Sequence, residues 1–447
     1  MNPPDKRAKV WSANELYMRE VVPVLSAPVR NEAARIQERF QKHVVPSYAR
    51  FDLVLERGEG SEVWDVEGRR YLDLGAGIAV SVLGHGSADI AAALVDQARK
   101  LVHVSNLYYQ QPQGLLAEKI AGLIGPGKIF FCNSGAEADE GLFKLARKFG
   151  HDEGRFEILT AENSFHGRTL AGIAATGQAK VKKGFEPMVP GFRHIPFNDL
   201  AAARAAISPA TAAILIEGVQ GEGGVTAATP EYLLGLRRLC DEKNLLLLMD
   251  GVQCGCFRTG RFQSFQRILE ETDSEEARKF LPDGIAMAKG MGGGLPIGAF
   301  WVRSAYADLF NAGTHGSTFG GSPLVCAVAL KVLEVIERDG LAHNARSVGN
   351  FLLTELKQLA AAMPNVLREA RGLGLMVGLE LAADIPAFAG GKKSPSIDFI
   401  NRLHRAGLLA VPAGTNVIRL LPALNLKPED AARGARIIAS VAEEVSR

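Results

Sequence analysis

Three short segments carry side chains whose types and spacing could do chemistry together. In LLLLMDGVQCG, Leu245 to Gly255, an apolar run ends on the carboxylate of Asp250. That ending is costly unless a cation meets it. In DGIAMAKGMGGG a second apolar run ends on Lys289, and glycines follow. A lysine held out of water has a lowered pKa and becomes a nucleophile toward an aldehyde. The glycines let a ligand or a second backbone come close. In FFCNSGAEA, Ser134, Gly135 and Ala136 open a helical pattern, where free N–H groups and the helix dipole favour an anion.

Each segment alone has an ordinary explanation. A lysine at a strand end usually reaches solvent along its alkyl stem, and a small-residue helix start need bind nothing. Together they supply what pyridoxal phosphate requires: an amine for its aldehyde, a carboxylate that keeps the ring nitrogen protonated, and a phosphate cradle. Phe165, in SFHGRT, is placed to cover the ring face. Two other glycine-rich stretches fail as nucleotide motifs. GLIGPGK continues with Ile129 where a phosphate loop needs serine or threonine, and it leads into a strand. RGLGLMVG, from Arg371, lacks a preceding strand and a following helix and reads as a tight turn into a strand.

Composition excludes several other classes. The 447 residues carry 51 Lys+Arg against 49 Asp+Glu with no basic run, so no nucleic-acid partner is expected. Cys132, Cys240, Cys254, Cys256 and Cys326 form no disulfide framework, which predicts reduced thiols and a cytoplasmic location. Cys254 and Cys256 lack a second Cys/His pair to complete a tetrahedral site, so no metal is expected. The N-terminal MNPPDKRAKVWSANELYMRE has no apolar core of a secretory signal. No run is long and apolar enough to span a bilayer, and no membrane contact is expected.

The elements that must position these residues follow from hydrophobic periodicity. Residues 1–45 read as a polar helical arm, and VWDVEGRRYLDL as a hairpin turning at Glu67-Gly68. Beyond His85, helices alternate with short apolar strands: KIFFCNS, FEILTA, AAILIEGV and LLLLMD, with EYLLGLRRLCDEK helical between the last two. That alternation predicts an α/β fold with a mostly parallel sheet covered by helices. Its chemistry belongs at the carboxyl ends of the strands. A long helix begins near Ser322, and VGLEL and VIRLLP strands follow in what reads as a smaller α+β domain. The expected organisation is a helical arm (1–45), an N-terminal part of the small domain (46–85), a large cofactor-binding domain (86–325) and a C-terminal small domain (326–447). The segment Ile268 to Pro282 is charged, helix-like and inserted.

The chain resembles the class III (subgroup II) aminotransferases of the type I pyridoxal-phosphate fold. The matching motifs run in family order from about Val45: YARFDLVLERGEGSEVWDVEGRRYLDLGAGIAV, HVSNLYY, FFCNSGAEA, SFHGRT, QGEGGV, DGVQCG, RTGRF, the lysine segment, HGSTFGG and NVIRLLP. The resemblance implies that Lys289 is the Schiff-base lysine and proton shuttle. It places Asp250 at the ring nitrogen, Gln253 at the ring hydroxyl, and Val252 and Phe165 on the two ring faces. Ser134, Gly135 and Ala136 would hold the phosphate, joined by Thr318 from a neighbouring subunit, which implies a homodimer with shared active sites. Arg168 would take the distal carboxylate of glutamate or the carboxylate of an acylated ornithine, Arg419 the α-carboxylate of glutamate, and Glu222 would neutralise Arg419 in turn.

The implied reaction moves the δ-amino group of N2-acetyl-L-ornithine to 2-oxoglutarate, a step of arginine biosynthesis. It yields N-acetyl-L-glutamate 5-semialdehyde and L-glutamate. Ile78 stands where ornithine-specific relatives carry a tyrosine, which favours an acylated donor. An apolar residue does not strongly reject 4-aminobutyrate, succinylornithine or ornithine, and those remain alternatives. An aminomutase of the same fold is disfavoured by the presence of both arginines, and a non-catalytic cofactor-binding protein by the intact Lys289, Asp250 and Gln253 set. Three departures from the family pattern stand out. Gly251 replaces an acid often found beside the aspartate, GHGSADI lacks a histidine and proline expected in a turn, and the 268–282 insertion lengthens the span from Asp250 to Lys289.

Overall fold

The computed structural model describes residues 30–447, so the first part of the predicted arm lies outside the described residues. Among the described residues two compact units are distinguished, residues 30–55 with 65–68, and residues 56–64 with 69–447. In the first, RNEAARIQERFQKH forms the helix Arg30–His43. The apolar side chains Ile36 and Phe40 line a cavity of about 510 Å³ with Val44, Phe51 and Val54.

The second unit is organised by a seven-stranded sheet: β1 (Gly127–Cys132), β2 (Glu157–Ala161), β3 (Phe192–Ile195), β4 (Thr211–Glu217), β5 (Leu246–Asp250), β6 (Gly284–Met287) and β7 (Gly298–Arg303). Their order is β1-β7-β6-β5-β4-β2-β3. β7 runs antiparallel to both its neighbours, and the contacts among β6, β5, β4, β2 and β3 are parallel. Every residue of β4 and β5 is buried, as continuous apolar runs require when both faces are covered.

Alternate side chains enter two separate cores. Ile214, Ile216, Leu247, Met249, Ile285 and Met287 pack on the side of the helices Pro230–Lys243 and Pro323–Arg338. Ala213, Leu215, Leu246, Leu248 and Ala286 pack on the side of the helix Gly135–Gly150. Each fully buried leucine contributes roughly 1.5–3 kcal/mol relative to exposure, so the register of β5 is strongly held. A slip of one residue would exchange the two faces.

The helix Gly135–Gly150 begins where Ser134 accepts a hydrogen bond from the Glu137 N–H, and the Glu137 carboxylate accepts one from the Asn133 N–H. It approaches the sheet closely at Gly141, where a Cβ would lie 2.2 Å from Phe300 Cε1. An antiparallel sheet follows in the C-terminal third: Leu367–Leu373, Met376–Leu381, Val417–Leu420 and Val411–Pro412. RGLGLMVG straddles its first hairpin, turning at Gly374 with φ +57°. It therefore does follow a strand, contrary to the sequence reading, but it leads into a second strand and not a helix.

The strand Arg70–Asp73 pairs in parallel with Leu408–Leu409, joining early and late parts of the chain. Within the charged insertion, Ile268 ends the helix Ser264–Ile268 and Glu275–Lys279 forms a second short helix, capped by Ser274. The helical pattern predicted there is interrupted by turns at Leu269–Thr272 and Thr272–Ser274. No helix among the described residues is long and apolar enough to cross a membrane.

Candidate active site

A cavity of about 460 Å³ opens at the carboxyl ends of β4, β5 and β6. The sequence-derived residues converge on it from four segments. Asp250, Val252 and Gln253 come from the end of β5, and Lys289 from the turn after β6. Ser134, Gly135 and Ala136 come from the helix start, and Phe165 and Arg168 from the loop after β2. Parallel strands bring these ends to one side because they share a direction.

Asp250 is 4 % exposed and held as an acceptor. Its Oδ1 accepts the Val252 N–H at 2.9 Å, and its Oδ2 lies 2.9 Å from His166 Nδ1. Lys289 adopts φ +44°, a left-handed conformation in which a lysine is strained. Desolvation, reinforced by the Arg419 charge, lowers its amine to about 8. An amine so depressed is partly neutral near pH 7 and able to act as a nucleophile or base.

Arg419 and Glu222 do not line the cavity wall but reach it through Gln253. The buried Arg419 guanidinium donates to Gln253 Oε1 at 2.7 Å and to the Pro412 carbonyl at 3.1 Å, and pairs with Glu222 Oε1 at 2.8 Å. Burial raises the Glu222 carboxyl, but the Arg419 charge and hydrogen bond prevail and hold it below its ordinary value. Arg168 is exposed at the mouth, 5.4 Å above the Phe165 ring, and has no ion-pair partner among the described residues. Ile78 is 40 % exposed on a left-handed turn at φ +63° and is not part of the cavity wall. Thr318 is also exposed and outside the wall of this chain. Its neighbour Ser317 receives a 3.2 Å hydrogen bond from Asn133.

Three buried groups escaped the sequence reading: Asp139, His166 and Glu217. Glu217 ends β4 in register with Asp250, so the signal that identified Asp250, an acid closing an apolar strand, applied to it as well. Its oxygens accept the Gly221 and Phe165 N–H groups at 3.2 and 3.3 Å. Burial, then the Asp250 charge, raise it well above the carboxylate range. His166, inside SFHGRT, carries no local signal of its own, since a lone histidine in a loop is commonplace. Asp139 occupies a position of the helix Gly135–Gly150 flanked by buried Ala138, Leu142 and Phe143, so its signal was a polar residue on an apolar face.

The donor set fits pyridoxal phosphate. The N–H groups of Gly135 and Ala136, first in their helix, have no hydrogen-bond partner among the described residues, and both residues line the cavity. Gly135 is required there, because a Cβ would lie 2.6 Å from Val252 Cγ1. Asp250 offers a carboxylate, Lys289 an amine of lowered basicity, and Phe165 and Val252 two apolar flanks. Gly251 has a local reason as well: a Cβ would lie 2.4 Å from Gln263 Oε1, which fills the room a larger side chain would need.

Comparison with known proteins identifies the family. Residues 44–442 match the family described as aminotransferase class-III. An acetylornithine aminotransferase from Gloeobacter violaceus is 46% identical over 392 residues, covering 87% of this chain and 93% of that protein. The crystal structure of acetylornithine aminotransferase from Elizabethkingia anophelis superposes with a TM-score of 0.78 at 32% identity, over 92% of this chain and 99% of the other. An ornithine aminotransferase structure from Toxoplasma gondii, described with partial occupancy of PLP at its active site, gives a TM-score of 0.84 at 28% identity. That match covers 98% of this chain and 99% of the other.

Proposed function

The chain belongs to the class-III aminotransferases and is a pyridoxal-phosphate enzyme, and from that premise we propose that its donor is N2-acetyl-L-ornithine. The δ-amino group passes to 2-oxoglutarate, giving N-acetyl-L-glutamate 5-semialdehyde and L-glutamate. Relatives named acetylornithine aminotransferase at 40% to 46% identity support the choice. The observation that carries it is a pair of arginines in different states. Arg168 stands at the cavity mouth with no ion-pair partner among the described residues, while Arg419 is neutralised by Glu222 at 2.8 Å.

Such a site accepts two unlike donors. The carboxylate of acetylornithine takes Arg168 and leaves the Arg419–Glu222 pair closed. Glutamate places its distal carboxylate on Arg168 and its α-carboxylate on Arg419, displacing Glu222; both contacts suit the bidentate guanidinium. Bound pyridoxal phosphate supplies an electron sink that makes the proton on the substrate carbon removable and carries the amino group between donors. Lys289 would hold the cofactor's aldehyde carbon in the resting enzyme and, once released as a free amine, would move that proton. Asp250 keeps a proton on the ring nitrogen, and Gln253, whose Oε1 is engaged by Arg419, offers its Nε2 to the ring hydroxyl. Ser134, Gly135 and Ala136 hold the phosphate, and Phe165 and Val252 confine the ring. Ile78, exposed two residues before cavity-lining Val80, brings no hydroxyl to a free α-amine and suits an acylated one.

Two copies complete the site in this reading. Leu107, Tyr108, Tyr109 and Phe319 are exposed large apolar side chains around Thr318. Asn106 ties the two loops together by bonds to the Ser317 and Gly320 carbonyls. A homodimer would bury this surface and bring each Thr318 to the partner's phosphate site, in a cytoplasmic enzyme. The test is kcat/KM for acetylornithine, succinylornithine, ornithine and 4-aminobutyrate. Acetylornithine should lead; a lead by 4-aminobutyrate of more than about tenfold, ~1.4 kcal/mol of transition-state preference, overturns the donor assignment.

A further inference from the structure

Asp139 lies in the second turn of the helix Gly135–Gly150, 2 % exposed, and lines the cavity beside Asp250. One carboxyl oxygen of each aspartate and a ring nitrogen of His166 all lie within 4.8 Å of one another. The ionisable groups around Asp139 are Asp250 at the end of β5, Glu217 at the end of β4, His166 from the loop after β2, and Glu140 on its own helix; Lys289 faces Glu217 from beyond. Carboxylates so close in a dry site cannot all be ionised.

The hydrogen bonds decide which one keeps its charge. Asp250 has both oxygens served, Oδ1 by the Val252 N–H and Oδ2 by His166. Asp139 is less well served: its Oδ1 is buried without a hydrogen-bond partner among the described residues. An anion there would be unsolvated and unpaired. Burial, then the Asp250 charge, drive it well above the carboxylate range. A metal ion on these three ligands would require Asp139 ionised, which the same absence of donors opposes.

We propose that Asp139 is a neutral carboxylic acid that donates its proton in a hydrogen bond to Asp250, and so acts as a positioning residue for the carboxylate that faces the cofactor's ring nitrogen. The proton stays on Asp139, and the acid presents a single negative charge at Asp250 instead of two. The inference rests on the placement of Asp250 at the ring nitrogen, not on the identity of the donor substrate.

The test uses holoenzyme of the wild type, D139N, D139L and E217Q. Infrared spectra near neutral pH should show in the wild type a carboxylic-acid carbonyl band that shifts in D2O and is missing from D139N. E217Q identifies the separate band of the other raised carboxyl. The cofactor dissociation constant should stay within about threefold of wild type in D139N, whose amide still donates, and rise at least tenfold in D139L. D139N, nearly isosteric, carries the infrared test even if D139L fails to fold. Identical infrared spectra of wild type and D139N would overturn the neutral acid. Equal cofactor affinity of D139N and folded D139L would overturn the positioning role. A different donor substrate would leave both readouts unchanged, so the two readings fail separately.

Discussion

Replacing Glu222 by glutamine should separate the two half-reactions. Arg419 is 1 % exposed, and Glu222 is the only carboxylate paired with it among the described residues, at 2.8 Å. Glutamine keeps an acceptor oxygen in place and removes only the charge. Two unit charges about 4 Å apart at an effective dielectric of about 20 attract by about 4 kcal/mol. That is a ceiling, because Glu222 retains a side-chain exposure of 29%. The difference between a charged and a neutral hydrogen bond, about 1.5 kcal/mol, sets the floor. An effect of about 2 kcal/mol corresponds to roughly 30-fold.

The loss should fall on acetylornithine, whose turnover in our reading leaves the Arg419–Glu222 pair closed. Glutamate, which displaces Glu222, should lose nothing or gain. Stopped-flow measurement of each half-reaction, followed through the cofactor absorbance, gives kcat/KM separately. The ratio of glutamate to acetylornithine should rise between about 10- and 30-fold. Because Glu222 is held below its ordinary value and is charged near neutrality, the shift should be the same at pH 6.5 and pH 8. A ratio that moves less than about threefold, or falls, refutes the switch.

Other perturbations have equally definite outcomes. Lys289→Ala should abolish turnover and the visible absorbance of covalently held cofactor; a spectrum unchanged from wild type would overturn the placement of the cofactor. The Lys289 amine titrates near 8, depressed from 10.5. Its neutral form is therefore favoured by the fold, and that contribution to apoprotein stability is present above 10.5 and lost as pH falls through about 8. The rate of cofactor attachment to apoprotein should accordingly rise roughly 50-fold between pH 6 and 8 and then flatten; a break above pH 10 would contradict the buried amine. Gly141→Ala should gain about 1 kcal/mol of helix propensity but lose about 1–3 kcal/mol to overpacking, given the 2.2 Å approach to Phe300. A net destabilisation in urea with normal cofactor binding is expected, and a stabilised variant would mean the helix can shift away from β7.

Much of this protein was determined by its sequence alone. The short leucine run of β5 suits a strand with both faces covered, and a carboxylate at its end is costly without a partner, so the sequence alone marks Asp250. The same holds for Lys289 after β6 and for the small residues opening the helix Gly135–Gly150. These signals are local, since periodicity, strand length and an out-of-place charge all lie within a dozen residues.

The tertiary structure decided what local pattern could not. RGLGLMVG follows a strand because Leu367–Leu373 pairs with Met376–Leu381, a pairing its polar residues Arg368, Glu369 and Arg371 obscured. The reason for Gly251 became visible only when Gln263 was seen filling the adjacent space. Arg419 could be named from its motif, yet its bond to Gln253 spans 166 residues. Asp139 and His166 became neighbours of Asp250 only when the helix packed on the sheet and the loop after β2 folded over it. A hydrogen bond or a shared proton depends on distances of a few ångströms between atoms remote along the chain. The sheet order β1-β7-β6-β5-β4-β2-β3 sets those distances. Sequence chose the groups; packing decided which of them lie together, which are buried, and which line the cavity.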